Sequence, residues 1–384
     1  MDDRKGTLGF VVKGERMILR AKTDRLIQTK VLTSARQENT IRNTQEMKAA
    51  ETLLKSKPQR FVFEMTNACN LNCIMCGRNA KHFKPAHFKM DWLKKLEPAV
   101  EDVEEVTLMG WGEPTMHPQF TDFLKWAENF GLRKYFCTNG LKLGELTPSI
   151  FEYKVDVIAI SIDAASHEKN KEIRRGSDFN AIVSNLKNIV AEKKRLGTSW
   201  PYMNFVTTLM KKNLYELPKI VHLASEIGLN EAKGVFLTVF DDAMASESLY
   251  DSMDKVKEVF DEAYNIANET GVKLKIPHLR GEDPAKDAYH KSCYTAWRDF
   301  FLGSDGYVRP CMSTPLKFFH IDDYETFDEM WNSREFINFR QNVNENSAMD
   351  MACKRCYQSS FANWNRKSAF YQVGLEFSPE WEMP

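Results

Sequence analysis

Cys69, Cys73 and Cys76 lie in the run EMTNACNLNCIMCGRN, separated by three and then two residues. Three thiolates on one tight loop can hold three irons of a [4Fe-4S] cube and leave the fourth iron without a protein ligand. That open iron is the chemically useful corner, because it can chelate the amino and carboxylate groups of an amino-acid ligand and pass one electron to it. Zinc with a fourth ligand from elsewhere, or three thiols packed in a core, is the competing reading. Polar Thr66 and Asn67 lead into the loop and Gly77 and Arg78 lead out, directly after an apolar run, which favours the cluster.

A second group follows far along the chain. Cys293 precedes two apolar arms around Ser304-Asp305-Gly306, a good hairpin turn, and Cys311 ends the second arm. The run FDEMWNSREFINFRQNV reads as a helix and leads on to Cys353 and Cys356. These four thiols suffice to saturate a second cube, which would then accept or relay an electron, and they equally suit a tetrahedral zinc ion. Cys137 is the remaining cysteine: either a packed core thiol or a hydrogen-atom donor to a substrate radical. His82, His87, Lys81 and Lys84 beyond the first loop read as a solvated basic face.

The elements that must position these residues alternate strictly. Strand candidates at 60–65, 104–110, 134–139, 156–163, 202–210 and 234–240 are separated or followed by amphipathic runs of helical period, several ending at glycine. Such alternation predicts right-handed βαβ units on a parallel sheet, and six units suit an incomplete α/β barrel. Functional groups are then expected at the C-terminal ends of the strands. Residues 1–59 read as an N-terminal extension with a strand pair around Phe10–Leu19 and a helix from about Thr40 to Ser56. A composition shift near Leu279 marks a second, smaller domain.

Lys plus Arg and Asp plus Glu are both 53 in 384 residues, so no net field points to nucleic acid or an anionic membrane. No apolar run approaches the roughly 18 residues of a membrane span, and the charged N-terminus lacks a secretion signal. A cytoplasmic protein is expected, and clustered cysteines there argue for metal over disulfides.

With these motifs in place, the chain resembles the radical S-adenosylmethionine (SAM) superfamily over roughly residues 60–240. Gly110-Trp111-Gly112-Glu113-Pro114 looks like the family's Gly-Gly-Glu-Pro motif, which receives the SAM amino group. Thr138-Asn139-Gly140 is similar to a family feature beside SAM, and Ser161 and Asp163 stand where members bind the ribose hydroxyls. Arg174 and Arg175 match an arginine that members place near the SAM carboxylate, without the sequence choosing between them. Met75 replaces the frequent aromatic residue before the third cysteine, near the adenine, and Trp111 replaces a glycine. Residues from Cys293 onward resemble the SPASM and Twitch auxiliary domains, with the four-residue gap between Gly306 and Cys311.

The resemblance implies a partial (β/α)6 radical SAM barrel at 60–278 with a small C-terminal auxiliary-cluster domain at 279–384. It implies two [4Fe-4S] clusters, SAM, and an external reductant such as flavodoxin or ferredoxin. The expected chemistry is hydrogen-atom abstraction by a 5′-deoxyadenosyl radical from a polar small molecule such as a sugar, aminocyclitol or nucleoside, with oxidation or rearrangement. The alternatives are a maturase that crosslinks or epimerises a ribosomally made peptide, and a non-catalytic iron–sulfur or zinc protein.

Overall fold

Runs of β-branched and aromatic residues form the strands β1 Arg60–Phe63, β3 Glu105–Leu108, β4 Arg133–Thr138, β5 Val157–Ser161, β7 Tyr202–Leu209 and β8 Glu231–Phe236. They pair in parallel in that order, with β9 Lys273–Lys275 added beyond β8. The computed structural model describes residues 32–80, 84–277, 279, 293–311, 314, 316–345, 347–350 and 352–353. The expected strand pair at Phe10–Leu19, the start of the second domain at 280–292, Lys81, His82 and Cys356 lie outside the described residues.

At the opposite edge, β10 Asp299–Leu302 pairs in parallel with β1, placing Arg60 opposite Asp299 and Phe63 opposite Leu302. The antiparallel strands β11 Tyr307–Arg309 and β12 Phe319–His320 complete a ten-stranded sheet. The sequence reading expected six parallel strands and a hairpin set apart. The sheet instead has eight parallel strands and runs through the expected boundary near residue 279. β9 was missed because its exposed Lys273 and Lys275 give no apolar signal. β10 was taken only as a hairpin arm, although its four residues are buried as a central strand requires.

The helices α2 Leu93–Val100, α3 Phe120–Asn129, α6 Phe179–Leu196, α7 Leu217–Ile227 and α8 Met253–Thr270 follow the expected amphipathic runs. The helices α4 Leu143–Glu152 and α5 His167–Ile173 were not anticipated, the first carrying Pro148 and the second being strongly polar. Helix α1 is Ser34–Lys48, earlier than the expected Thr40–Ser56. Thr33 caps its start, accepting from the Arg36 amide at 3.3 Å, and the chain turns away at Ala50, where φ is 53°.

One face of the sheet, with Phe61, Phe63, Val106, Leu108, Phe136, Ile158 and Phe205, packs with the helices in the main core. Tyr135, Val157, Ala159 and Tyr202 gather on the other face, against Met109, Cys137 and Val206. The segment before β1 fastens both regions. The Arg36 guanidinium donates to Phe130 O and Gly131 O at 2.7 and 2.9 Å, while Asn43 Nδ2 donates to Trp297 O at 2.6 Å and the Trp331 indole to Ser56 O at 2.9 Å.

Candidate functional site

The chain leaving β1 forms the first cysteine loop. Thr66 Oγ1 donates to Ala86 O at 2.9 Å, and the Asn67 side chain binds Lys84 O and the Ala86 amide, each at 2.8 Å. Within the loop, β2 Asn72–Cys73 pairs antiparallel with β6 Arg174–Arg175, setting Cys73 opposite Arg174. Cys69, Cys73 and Cys76 are half-buried and unoxidised. The Leu71 amide donates to Cys69 Sγ at 3.5 Å, and Arg174 Nη1 to Cys73 Sγ at 3.8 Å.

Burial pushes all three thiols up, Cys73 to about 11 against the pull of Arg174. Donors aimed at sulfur are what an anionic thiolate cluster requires, so the donor set fits an iron–sulfur group.

The Gly110–Pro114 loop follows β3 and lies directly on the cysteine loop. A Cβ at Gly112 would fall on the carbonyl oxygens of Thr66 and Ala68, and one at Gly110 on the Glu64 side chain. The Glu113 amide also donates to Ala68 O at 2.9 Å. The sequence reading reserved these glycines for approach to a ligand, and the structure shows that they first allow two loops to touch. Trp111 packs its indole against Phe240, with centroids 5.5 Å apart, and leaves no room for a side chain at Gly77. It therefore covers the chain just past Cys76, while Met75 packs with a small apolar cluster that includes Ile173, Met210 and Val239.

Glu113 is turned inward and 3% exposed. Its Oε1 accepts from Thr115 Oγ1 and Thr138 Oγ1, both at 2.7 Å, and its Oε2 from the Asn139 amide at 2.6 Å. Burial pushes its carboxyl up against these donors. The carboxylate thus fixes the end of β4, and Asn139 Nδ2 then donates to Asn70 Oδ1 at 2.7 Å, closing a ring back to the cysteine loop. Pro114 starts the short turn that places Thr115.

At the end of β5 the expected pair divides. Ser161 stays half-buried, whereas Asp163 is fully buried. Asp163 Oδ2 lies 2.7 Å from Arg174 Nε, and Oδ1 accepts the Thr208 amide at 2.8 Å. Burial pushes the Asp163 carboxyl up, and Arg174 and Thr208 pull it back. Asp163 is therefore the counter-ion of Arg174, whose Nη1 in turn reaches Cys73 Sγ. Arg174 is buried in that pairing, and Arg175 is exposed.

Cys137 lies 3.4 Å from Tyr135 Oη on the inner face, where burial pushes both groups up. At the start of the strands, Arg60 forks onto Asp299 at 2.6 and 3.1 Å, Arg133 pairs with Glu105, and Tyr202 Oη donates to Glu231 at 3.0 Å. These buried pairs fill the N-terminal end of that face. Of the expected basic face, His87 sits against His117 with centroids 5.7 Å apart and Lys84 is exposed.

In the C-terminal region the Cys293 amide donates to Asn344 Oδ1 at 2.7 Å, and Asn344 Nδ2 returns a bond to Cys293 O at 3.2 Å. Cys353 is buried and Cys311 half-buried. Sequence reasoning missed Glu64, Asn70 and the Asp163–Arg174 pair. The signal available for Glu64 was a charge at the end of an apolar strand, in phase with Arg60 and Val62.

Residues 63–224 match the model of the radical SAM superfamily, and residues 293–357 match SPASM, described as an iron–sulfur cluster-binding domain. A tungsten-containing aldehyde ferredoxin oxidoreductase cofactor-modifying protein of Pyrococcus furiosus is 25% identical over 65% of this chain and 69% of its own length. The AdoMet-dependent heme synthase of Methanosarcina barkeri is 26% identical over 73% of this chain and 84% of its own. The mycofactocin maturase MftC of Mycobacterium tuberculosis is 27% identical over 44% and 43%. In fold, the chain resembles Streptococcus suis SuiB bound to the precursor peptide SuiA, with TM-score 0.60 and 15% identity over 91% of this chain and 84% of SuiB. These relatives do not support a sugar or aminocyclitol as substrate.

Proposed function

We propose that this chain, a radical SAM enzyme with a C-terminal SPASM domain, modifies a precursor peptide by abstracting a hydrogen atom from one of its residues. The observation that carries this reading is the joining of both domains in one sheet, the same fold as a protein solved with its precursor peptide. The match to a mycofactocin maturase adds to it. The radical SAM domain implies a [4Fe-4S] cluster and SAM, and the SPASM domain implies further iron–sulfur clusters. When bound, cluster and SAM together supply a 5′-deoxyadenosyl radical, and the protein supplies orientation and exclusion of water.

In this reading Cys69, Cys73 and Cys76 hold the first cluster, and Arg174, fixed by Asp163, donates to the Cys73 sulfur. The backbone of Gly110–Pro114 and the half-buried Ser161 hydroxyl would hold SAM, with Glu113 and Asn139 fixing the loops. Met75 would pack by the adenine, and Arg175 would meet the SAM carboxylate. Cys293, Cys311, Cys353 and Cys356 would hold one auxiliary cluster, which would supply an electron acceptor for a net oxidation. Cys137 lies on the sheet face of Tyr135 and Ala159, from which it would return a hydrogen atom in an epimerisation. An external flavodoxin or ferredoxin supplies the reducing electron.

The test uses the protein reconstituted anaerobically with iron and sulfide, then supplied with dithionite, SAM and the small peptides encoded beside its gene. Mass spectrometry is expected to show a peptide that has lost two hydrogens or, in heavy water, taken up deuterium at one α-carbon. If those peptides stay unchanged while a haem precursor or a sugar is converted, the peptide reading fails.

A further inference from the structure

Glu64 is the first residue beyond β1 and is 3% exposed. Its Oε1 accepts the Trp111 amide at 2.8 Å, and its Oε2 accepts the hydroxyl and the amide of Ser304 at 2.7 and 3.2 Å. One carboxylate thus joins the backbone of the Gly110–Pro114 loop to the turn of the β10–β11 hairpin, which belongs to the SPASM-matched region. Its methylene carbons lie where a Cβ at Gly110 would stand, so the loop has closed completely on it.

The β1–β10 ladder ends at Phe63 and Leu302, and the backbone bond from the Glu64 amide to Leu302 O at 3.0 Å is the last contact before both loops leave the sheet. Beyond that point the Glu64 side chain reaches both loops. Burying a carboxylate costs desolvation that an apolar residue would avoid, so its value lies in fixing one arrangement of its partners. All three partners are donors, and two acceptor oxygens are needed to serve them.

We propose that Glu64 is a positioning residue through which the SPASM hairpin sets the pose of the SAM-binding loop. Holding the Trp111 amide also holds the indole against Gly77, so the carboxylate fixes the cover of the first cysteine loop as well. A shift of the hairpin, as when a substrate or cluster loads the SPASM region, is then felt at SAM without any change in the iron ligands. The inference rests on the reading that Gly110–Pro114 contacts SAM.

Glu64→Gln keeps the shape but presents one acceptor and one donor, so one side meets a donor facing a donor. The full chain, Glu64→Gln, Ser304→Ala and the double variant are compared by iron content, SAM dissociation constant and hydrogen exchange at the Trp111 amide. Exchange is read in protein without cluster. Glu64→Gln is expected to bind SAM about tenfold more weakly, the loss of one charged hydrogen bond, with unchanged iron. Ser304→Ala is expected to speed exchange at Trp111, which it does not touch, and the double variant to fall short of the product of the singles.

Unchanged SAM affinity and Trp111 exchange in Glu64→Gln overturns the coupling. If Glu64→Gln does not fold, exchange at Trp111 in Ser304→Ala decides alone, and no change there overturns it. Gly112→Ala separates the two ideas: if it loses SAM while Glu64→Gln does not, only the coupling fails. If both bind SAM normally, the site reading itself has failed.

Discussion

Replacing Cys73 by alanine removes one of the three proposed iron ligands and leaves Arg174 without the sulfur it donates to. The reconstituted variant is expected to hold about four irons where the parent holds about eight, at four per cube, and to form no 5′-deoxyadenosine. Gly112 gives a sharper test of geometry. A methyl group there meets backbone oxygens of the cysteine loop, so Gly112→Ala is expected to cost about 1–3 kcal/mol by overpacking and to abolish SAM binding. Gly197, with φ 64° and open space around it, is the control. Gly197→Ala is expected to cost about 1–2 kcal/mol of backbone strain with SAM affinity intact, as calorimetry and equilibrium binding would show. The cysteines and both loop glycines were legible because their spacing is local. Glu64 was not, because its task depends on Ser304, 240 residues away, and Asp163 stood out as a site residue without its pairing to Arg174.

Among elements, the β1–β10 pairing has the largest consequence. Phe300 on β10 is fully buried and stacks near Phe61, Phe327, Trp331 and Phe336 at 5.2 to 6.3 Å between centroids. Phe300→Ala is expected to cost about 3–5 kcal/mol and to lower one shared unfolding transition. Two separated transitions in calorimetry would contradict a continuous core. The six strands and five of the helices were readable from alternation and period. The edge strand β9 and polar α5 were not, since pairing and context hold them in place of an apolar stripe, and α4 was passed over for its Pro148 although Leu143, Leu146 and Ile150 form one. The start of α1 was shifted because its polar face is buried, with Arg36, Asn39 and Asn43 bonded to other segments, which reverses the usual sign of the pattern.

At the scale of the molecule, charge balance left the partner open, and the described residues include no helix long and apolar enough to cross a membrane. Buried ion pairs fill one end of the inner face, so the cysteine loop, the Gly110–Pro114 loop and the SPASM hairpin all meet at the other. The radical SAM and SPASM regions were visible from the sequence, while the substrate was not, because substrate choice lies in surfaces that carry no motif. The most direct measurement is anaerobic reconstitution followed by dithionite and SAM, with 5′-deoxyadenosine and iron determined together. The account requires 5′-deoxyadenosine from the parent chain holding about eight irons, two cubes of four, and none from Cys73→Ala. A parent chain that loads iron fully and yet releases no 5′-deoxyadenosine would contradict it.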